Sequence, residues 1–293
     1  MPSGAREPFH WRTAIAYKTR EKIVVRGYDN NELTGNIDFA SMACLVLTGA
    51  LPSEAQRAVL NAMLVSLCEH AFSPSSAAVR FAASGGIPLN AAVAAGMLSM
   101  GSRHASADFP ARLFQEAVAR CREQKIEIER CAQEIVSEHK QAGRILNGFH
   151  HPQHIRDPRV QRLFQVAEEQ GTSGEHQRLA LAMQEATARV YGRTLYLNGP
   201  GAFAALGSDL GLKPEQIKGL ILLSRCVSLI AHAIEENERE KGWRASEQAP
   251  ITQPLDLSLQ LPDYYDGPPE RSLGRRSPTS GPAAAKRQHL PPG

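Results

Sequence analysis

The chain carries little net charge, +3 over 293 residues. Much of that lies near its end, where Arg271, Arg275, Arg276, Lys286 and Arg287 stand against Glu270 alone. The residues before 268 are therefore close to neutral, which excludes a broad basic stripe for nucleic acid. Long apolar runs are also missing: Arg80 and Arg225 interrupt the longest of them short of a membrane span. Met1 to Glu7 contains no apolar signal core. Cysteine is sparse and odd in number, at 44, 68, 121, 131 and 226. Scattered in this way, the cysteines read as reduced thiols rather than a disulfide framework. No internal repeat is evident. The expectation is a cytoplasmic globular protein with neither a membrane nor a nucleic-acid partner.

What is present is mostly helical pattern, with 42% hydrophobic and 22% charged residues, enough for a large core. Ile23 to Tyr28 is the best strand candidate, short and rich in β-branched residues. Helices are expected over 39–48, from 54 to about 71 with Ser53 as N-cap, over 75–84 and over 90–99. They continue over 110–140 with an interruption, then over 163–171 and 176–191. The last runs from Pro214, suited to a first helical turn, to about Lys241. There Ile217, Leu220, Ile221, Val227, Ile230 and Ile234 set the period expected to face the core. Beyond Asp266 the chain is rich in Pro and Arg and is expected to be disordered.

The densest chemistry lies in Asn147 to Arg159, with three histidines and two arginines in thirteen residues. His151 and Arg159 can polarise a carbonyl and hold a carboxylate. His70 and His104 also stand in polar or glycine-bearing settings, although each alone also reads as a hydrogen-bonded structural histidine. Arg225 interrupts an apolar helical run. Buried there it must pair with an acid or hold an anion, and His232 follows near the same face. His150, His151 and His154 also read as a zinc set. Pro152 and the surrounding turn residues disfavour the helix that would align them, and the expectation is no metal.

In order and spacing, these pieces resemble the citrate synthase superfamily, specifically its short citryl-CoA lyase-like members. The resemblance runs from Ile23-Val24-Val25-Arg26-Gly27-Tyr28 through the Gly49-Ala50-Leu51-Pro52 turn and His70 with Ser75, Ser76 and Arg80. It continues through Gly101 to Ser106, Gly148-Phe149-His150-His151, Asp157-Pro158-Arg159 and Leu223-Ser224-Arg225. It ends in a strap from Asp263 to Arg271. The resemblance implies an all-α, two-domain homodimer with its active site in the interdomain cleft. The large domain would comprise residues 1–104 and 211–266, the small domain 105–210, and the tail 267–293. It implies that His104 holds the thioester oxygen and stabilises an enolate, while His151 polarises the ketone or takes the alcohol proton. His70, Arg159 and Arg225 would bind carboxylates, with Arg244 supplied across the dimer. Ile145, Leu146, Asn147, Gly148 and Phe149 would lie against coenzyme A. The substrates would be a citryl-CoA-like thioester and a carboxylic acid, with no tightly bound cofactor.

The sequence departs from that pattern at the active-site turns. Where the family carries a catalytic aspartate before a helix, this chain reads Asn198-Gly199-Pro200-Gly201. His150 replaces a glycine, Asn147 a proline, and Ala105-Ser106 follow His104 where two glycines are expected. Three explanations follow. The carbon–carbon chemistry persists with another proton carrier, His150 before Asp108. Alternatively, the cleft binds an acyl thioester for a different reaction, or the protein only binds and assembles.

Overall fold

A computed structural model describes residues 10–244. The expected strap and tail lie outside the described residues. Three short strands, β1 (Ala16–Lys18), β2 (Ile23–Val25) and β3 (Tyr28–Asp29), form an antiparallel meander. The strand expected over 23–28 is in fact two. Arg26 and Gly27 both have positive φ, 51° and 92°, so they make the two-residue turn that matches the twist of a hairpin.

The rest is helical: α1 (Asn30–Leu33), α2 (Phe39–Thr48), α3 (Glu54–Leu67), α4 (Pro74–Ser84), α5 (Leu89–Leu98) and α6 (Asp108–Gln124). After these come α7 (Ile128–Gln141), α8 (Pro158–Glu169), α9 (Glu175–Tyr191), α10 (Gly199–Asp209) and α11 (Pro214–Arg239). Caps explain many boundaries. Ser53 and Gln56 form a reciprocal capping box at α3. The long expected helix breaks because Lys125 turns left-handed, φ 54°, and ends α6. α8 starts five residues earlier than expected because Asp157 caps it and Pro158 takes the first turn.

The main core runs through α2, α3, α6–α11 and the turns between them, with Phe114, Met63, Met183 and Phe203 fully buried. A smaller cluster joins α4, α5 and α11 through Val79, Ala83, Ala92, Leu229 and Ala233. α11 has the length and composition of a membrane span, but here it packs against α3, α4, α5 and α6. The expected core stripe of α11 holds only in its first half. Ile217, Leu220 and Ile221 are buried, but Val227, Ile230 and Ile234 are 58%, 37% and 42% exposed. The second half buries Arg225, Ser228, Leu229, Ala233 and Glu236 instead. Glu236 can be buried because Arg80 and Arg244 both pair with it.

Candidate active site

One cavity of about 440 Å³ gathers His70, His104, His150, His151, Arg159 and Arg225, together with residues 145–149. That volume suits a small-molecule site. The walls come from the end of α3 and the loop after it, the turn before α6, the segment before α8, the first turns of α8 and α10, and the middle of α11. No Asp or Glu lines the cavity among the described residues.

The turn that carries His150 and His151 is built on a backbone bridge. Phe149 pairs with Leu197; His150 N–H donates to the Tyr196 carbonyl at 2.7 Å, and Asn198 N–H donates to the Gly148 carbonyl at 2.9 Å. Asn198 then caps α10 through Gly201 N–H and donates its side-chain amide to the His150 carbonyl, 2.8 Å. Phe149 packs edge-on against Phe114, which anchors the turn to the core. His150 has φ 64°. The chain keeps a glycine-like conformation there while carrying an imidazole. Ala105, at φ 58°, does the same beside His104.

The imidazole of His151 has a defined tautomer. Its Nδ1 accepts from the backbone N–H of Gln153, 3.1 Å, and of His154, 3.2 Å. The proton is therefore on Nε2, which is left as a donor. Burial, above all, pushes His151 down to about 4, with His70, His154 and Arg159 adding to it and Asp157 opposing. His104 is also lowered to about 4, first by burial and then by Arg225, Lys218 and His70. Ser75, fully buried, meets His104 Nε2 at 2.9 Å and fixes the ring.

Three arginines line the cavity, Arg103, Arg159 and Arg225, and the last two differ in what holds them. Arg159 is ion-paired: its Nε and Nη2 donate to Asp157 at 2.8 and 2.5 Å. Asp157 also accepts from Gly199 N–H at 2.7 Å, and these partners hold its carboxyl down at about 2 against the opposing effect of burial. A Cβ at Gly199 would stand 2.8 Å from the Arg159 Cζ, so a side chain there would push the guanidinium from its place against Asp157. Arg225, only 4% exposed, has Nε and Nη1 without any hydrogen-bond partner. Of the two readings the sequence left for it, an acid partner or an anion, this geometry favours the anion. His232 does not join the cavity. It accepts from Arg80 Nε at Nδ1 and meets Glu69 at 3.3 Å.

Arg244 is not brought to the cavity of its own chain. It pairs with Glu236 and Glu240. Of the expected coenzyme-facing segment, Ile145 is exposed, Leu146, Gly148 and Phe149 are buried, and all line the cavity. Pro200 lines it too, in the first turn of α10, where a missing N–H costs nothing and no titratable group is offered.

The histidine cluster differs from the His150, His151 and His154 set that the sequence offers. His70 takes the place of His150: ring nitrogens of His70, His151 and His154 lie within 4.8 Å of one another. The Nε2 atoms of His70 and His154 share a contact of 3.3 Å, and the His151 Nδ1 lone pair is already taken by two amides. Arg159 and Arg225 both act on His70 as cations. This donor set and charge favour a bound anion over a metal ion. The pairing of His70 with His154 had no sequence signal, since 84 residues separate them.

Comparison with known proteins agrees with the geometry. The model of the citrate synthase C-terminal domain family matches residues 53–246. A citryl-CoA lyase structure from Hydrogenobacter thermophilus shares 34% identity at a TM-score of 0.76, over 90% of this chain and 97% of that one. The ATP citrate lyase of Methanosaeta concilii, solved with (3S)-citryl-CoA, has 21% identity and a TM-score of 0.70, over 87% of this chain and 43% of that one. Citrate synthase from Thermotoga maritima has 16% identity and a TM-score of 0.54, over 88% and 97%. No curated protein matches the chain in sequence. The all-α fold, the cavity and these matches place the chain in the citrate synthase family.

Proposed function

We propose that the protein is a citryl-CoA lyase-like enzyme that cleaves, or in reverse forms, a carbon–carbon bond in a citryl-CoA-like thioester. The single observation that carries the reading is Arg225, a buried guanidinium with two unpartnered donors beside His70, His104 and His151. Substrate carboxylate satisfies those donors in a charge-assisted pair. The similar lyase of 34% identity over 90% of the chain supports the reaction class. Coenzyme A enters as part of the substrate, against residues 145–149, with no tightly held cofactor.

In this reading the Nε2–H of His151 donates to the oxygen that is hydroxyl in citryl-CoA and ketone in the product. His104, neutral, donates to the thioester oxygen and stabilises the enolate as the bond breaks. The hydroxyl proton leaves as the ketone forms, and the enolate carbon needs one proton. One group that accepts the first and returns it closes the balance without a carboxylate. We assign that role to His150, which lines the cavity and whose backbone is tied to the Asn198 turn. The functional unit is a cytoplasmic homodimer, with the site between the large and small domains. The exposed stripe Val227, Ile230 and Ile234 on α11 supports assembly. Arg244 would then serve a neighbouring subunit.

The test is incubation with citryl-CoA, and with acetyl-CoA plus oxaloacetate. Turnover is expected in at least one. His104→Ala and His151→Ala should each lower kcat by about a hundredfold or more. Unchanged activity in both variants would remove them from the site. The lack of a lining carboxylate among the described residues favours one second reading, a different reaction on an acyl thioester. Under it, neither incubation gives product although a coenzyme A thioester raises the melting temperature, and Pro200→Asp alters or abolishes the native reaction.

The two lowered imidazoles, His104 and His151, each contribute to the pH dependence. Unperturbed histidines would lose the neutral form near 6.5. Here both stay neutral down to about 4. The contribution of His104 and His151 to the acid limb of kcat/KM for the free enzyme is therefore expected near pH 4, not 6.5. Stability follows the same groups. Above about 6.5 both states are neutral and contribute nothing. As pH falls from 6.5 towards 4, the unfolded chain takes up protons that the folded chain refuses, and stability declines. Ring titration midpoints of His104 and His151 near 6.5 would show that these two rings are solvated.

A further inference from the structure

We propose that Lys218 is a positioning residue for His104, clamping shut the turn that carries it. This rests on the proposed reading of His104. Lys218 lies on α11, two turns before Arg225, and does not line the cavity. Its Nζ donates to the Met100 carbonyl at 3.0 Å and to the Ala105 carbonyl at 2.7 Å. Those carbonyls stand at the two ends of the turn that holds His104. Within the turn the backbone support is slight, a His104 N–H to Gly101 carbonyl bond of 3.3 Å. The turn also carries a penalty, because Ala105 is held left-handed at φ 58°, where a glycine would rest without strain.

A charged ammonium on two carbonyls offsets that penalty and fixes the backbone of residues 100–105. One helix thus presents the guanidinium that waits for an anion and, two turns earlier, the ammonium that locks the catalytic turn. Half-burial lowers Lys218 from the ordinary lysine range, and Asp108, in the first turn of α6, opposes the shift. Lys218 in turn helps to keep His104 neutral.

The experiment compares Lys218→Met, Lys218→Arg, and Lys218→Met combined with Ala105→Gly, in the full chain. With citryl-CoA, Lys218→Met is expected to lower kcat by about ten- to a hundredfold while KM moves less than about threefold. Arginine should restore part of the loss, since it keeps the charge and the donors. Ala105→Gly should restore part of it in the methionine background, because glycine adopts the left-handed turn unaided. A merely structural lysine would not be rescued at residue 105. The His104 ring proton, assigned by its absence in His104→Ala, gives a readout independent of turnover. In Lys218→Met its resonance should shift and its titration midpoint should rise. If the wild-type chain converts no thioester, the proposed reaction fails and the resonance alone decides the clamp. If Lys218→Met does not fold, Lys218→Gln, which keeps one donor group, takes its place. A kcat within twofold of wild type, a loss that Ala105→Gly does not relieve, or an unmoved His104 resonance overturns the proposal.

Discussion

Arg225→Met should melt at a higher temperature than the wild-type chain and bind the proposed carboxylate substrate about a hundredfold more weakly. The two effects have one cause. A guanidinium with two unpartnered donors and 4% exposure is a desolvated charge waiting for its counter-ion. Replacing it by an apolar side chain of similar length removes the desolvation penalty, and the gain is on the order of 1 kcal/mol or more. Glu69, the nearby acid, stays satisfied by His232 and Ser228. The bound anion, however, loses two charge-assisted hydrogen bonds, about 3 kcal/mol together, which sets the affinity loss. Arg159→Met should do the opposite to stability. It leaves Asp157, fully buried, without its guanidinium, and a loss of about 3–5 kcal/mol is expected. Differential scanning calorimetry and substrate titration on the two variants separate the roles. An Arg225→Met chain that melts several degrees lower would make Arg225 structural.

Gly201→Ala should destabilise the protein by about 3 kcal/mol, near 10 °C in Tm for a chain of this size. Helix propensity alone argues for a gain of about 1 kcal/mol, since Gly201 lies within α10. Packing overrides it. A Cβ on Gly201 would overlap the Gly148 carbonyl oxygen, and the Leu197 Cδ1 would stand 2.8 Å away. The carbonyl has nowhere to retreat. It accepts from Asn198 N–H, and Gly148 itself, at φ 90°, is backed by Pro110. The displacement would pass directly to His150 and His151, so activity should fall at least as steeply as stability. A change in Tm below about 2 °C would mean that the two turns are not in contact.

Much of the helical order was legible locally. The Ser53 capping box, Pro214 at the start of α11 and the β-branched run at 23–25 each carry their own structural signal. The errors came where a local pattern had two readings. The apolar period of α11 predicts a core stripe through Ile234, yet the helix buries Arg225 and Glu236 and exposes Val227 and Ile230. Which face of a long amphipathic helix goes inward is decided by its neighbours, here α4 and α5, and not by the helix. Likewise a short run of β-branched residues does not reveal that Arg26 and Gly27 will turn the chain back.

The sequence alone determined the inventory: imidazoles at 70, 104, 150 and 151, guanidiniums at 159 and 225, and proline where an acid is expected. Only the tertiary structure decided which of these are available. Arg159 and Arg225 look alike in sequence, but Asp157 holds one and no hydrogen bond engages Nε and Nη1 of the other. The His151 tautomer is set by two backbone amides, the His104 turn by a lysine more than a hundred residues away. Hydrogen bonds and burial act over a few ångströms of space, and the fold sets those distances independently of separation along the chain.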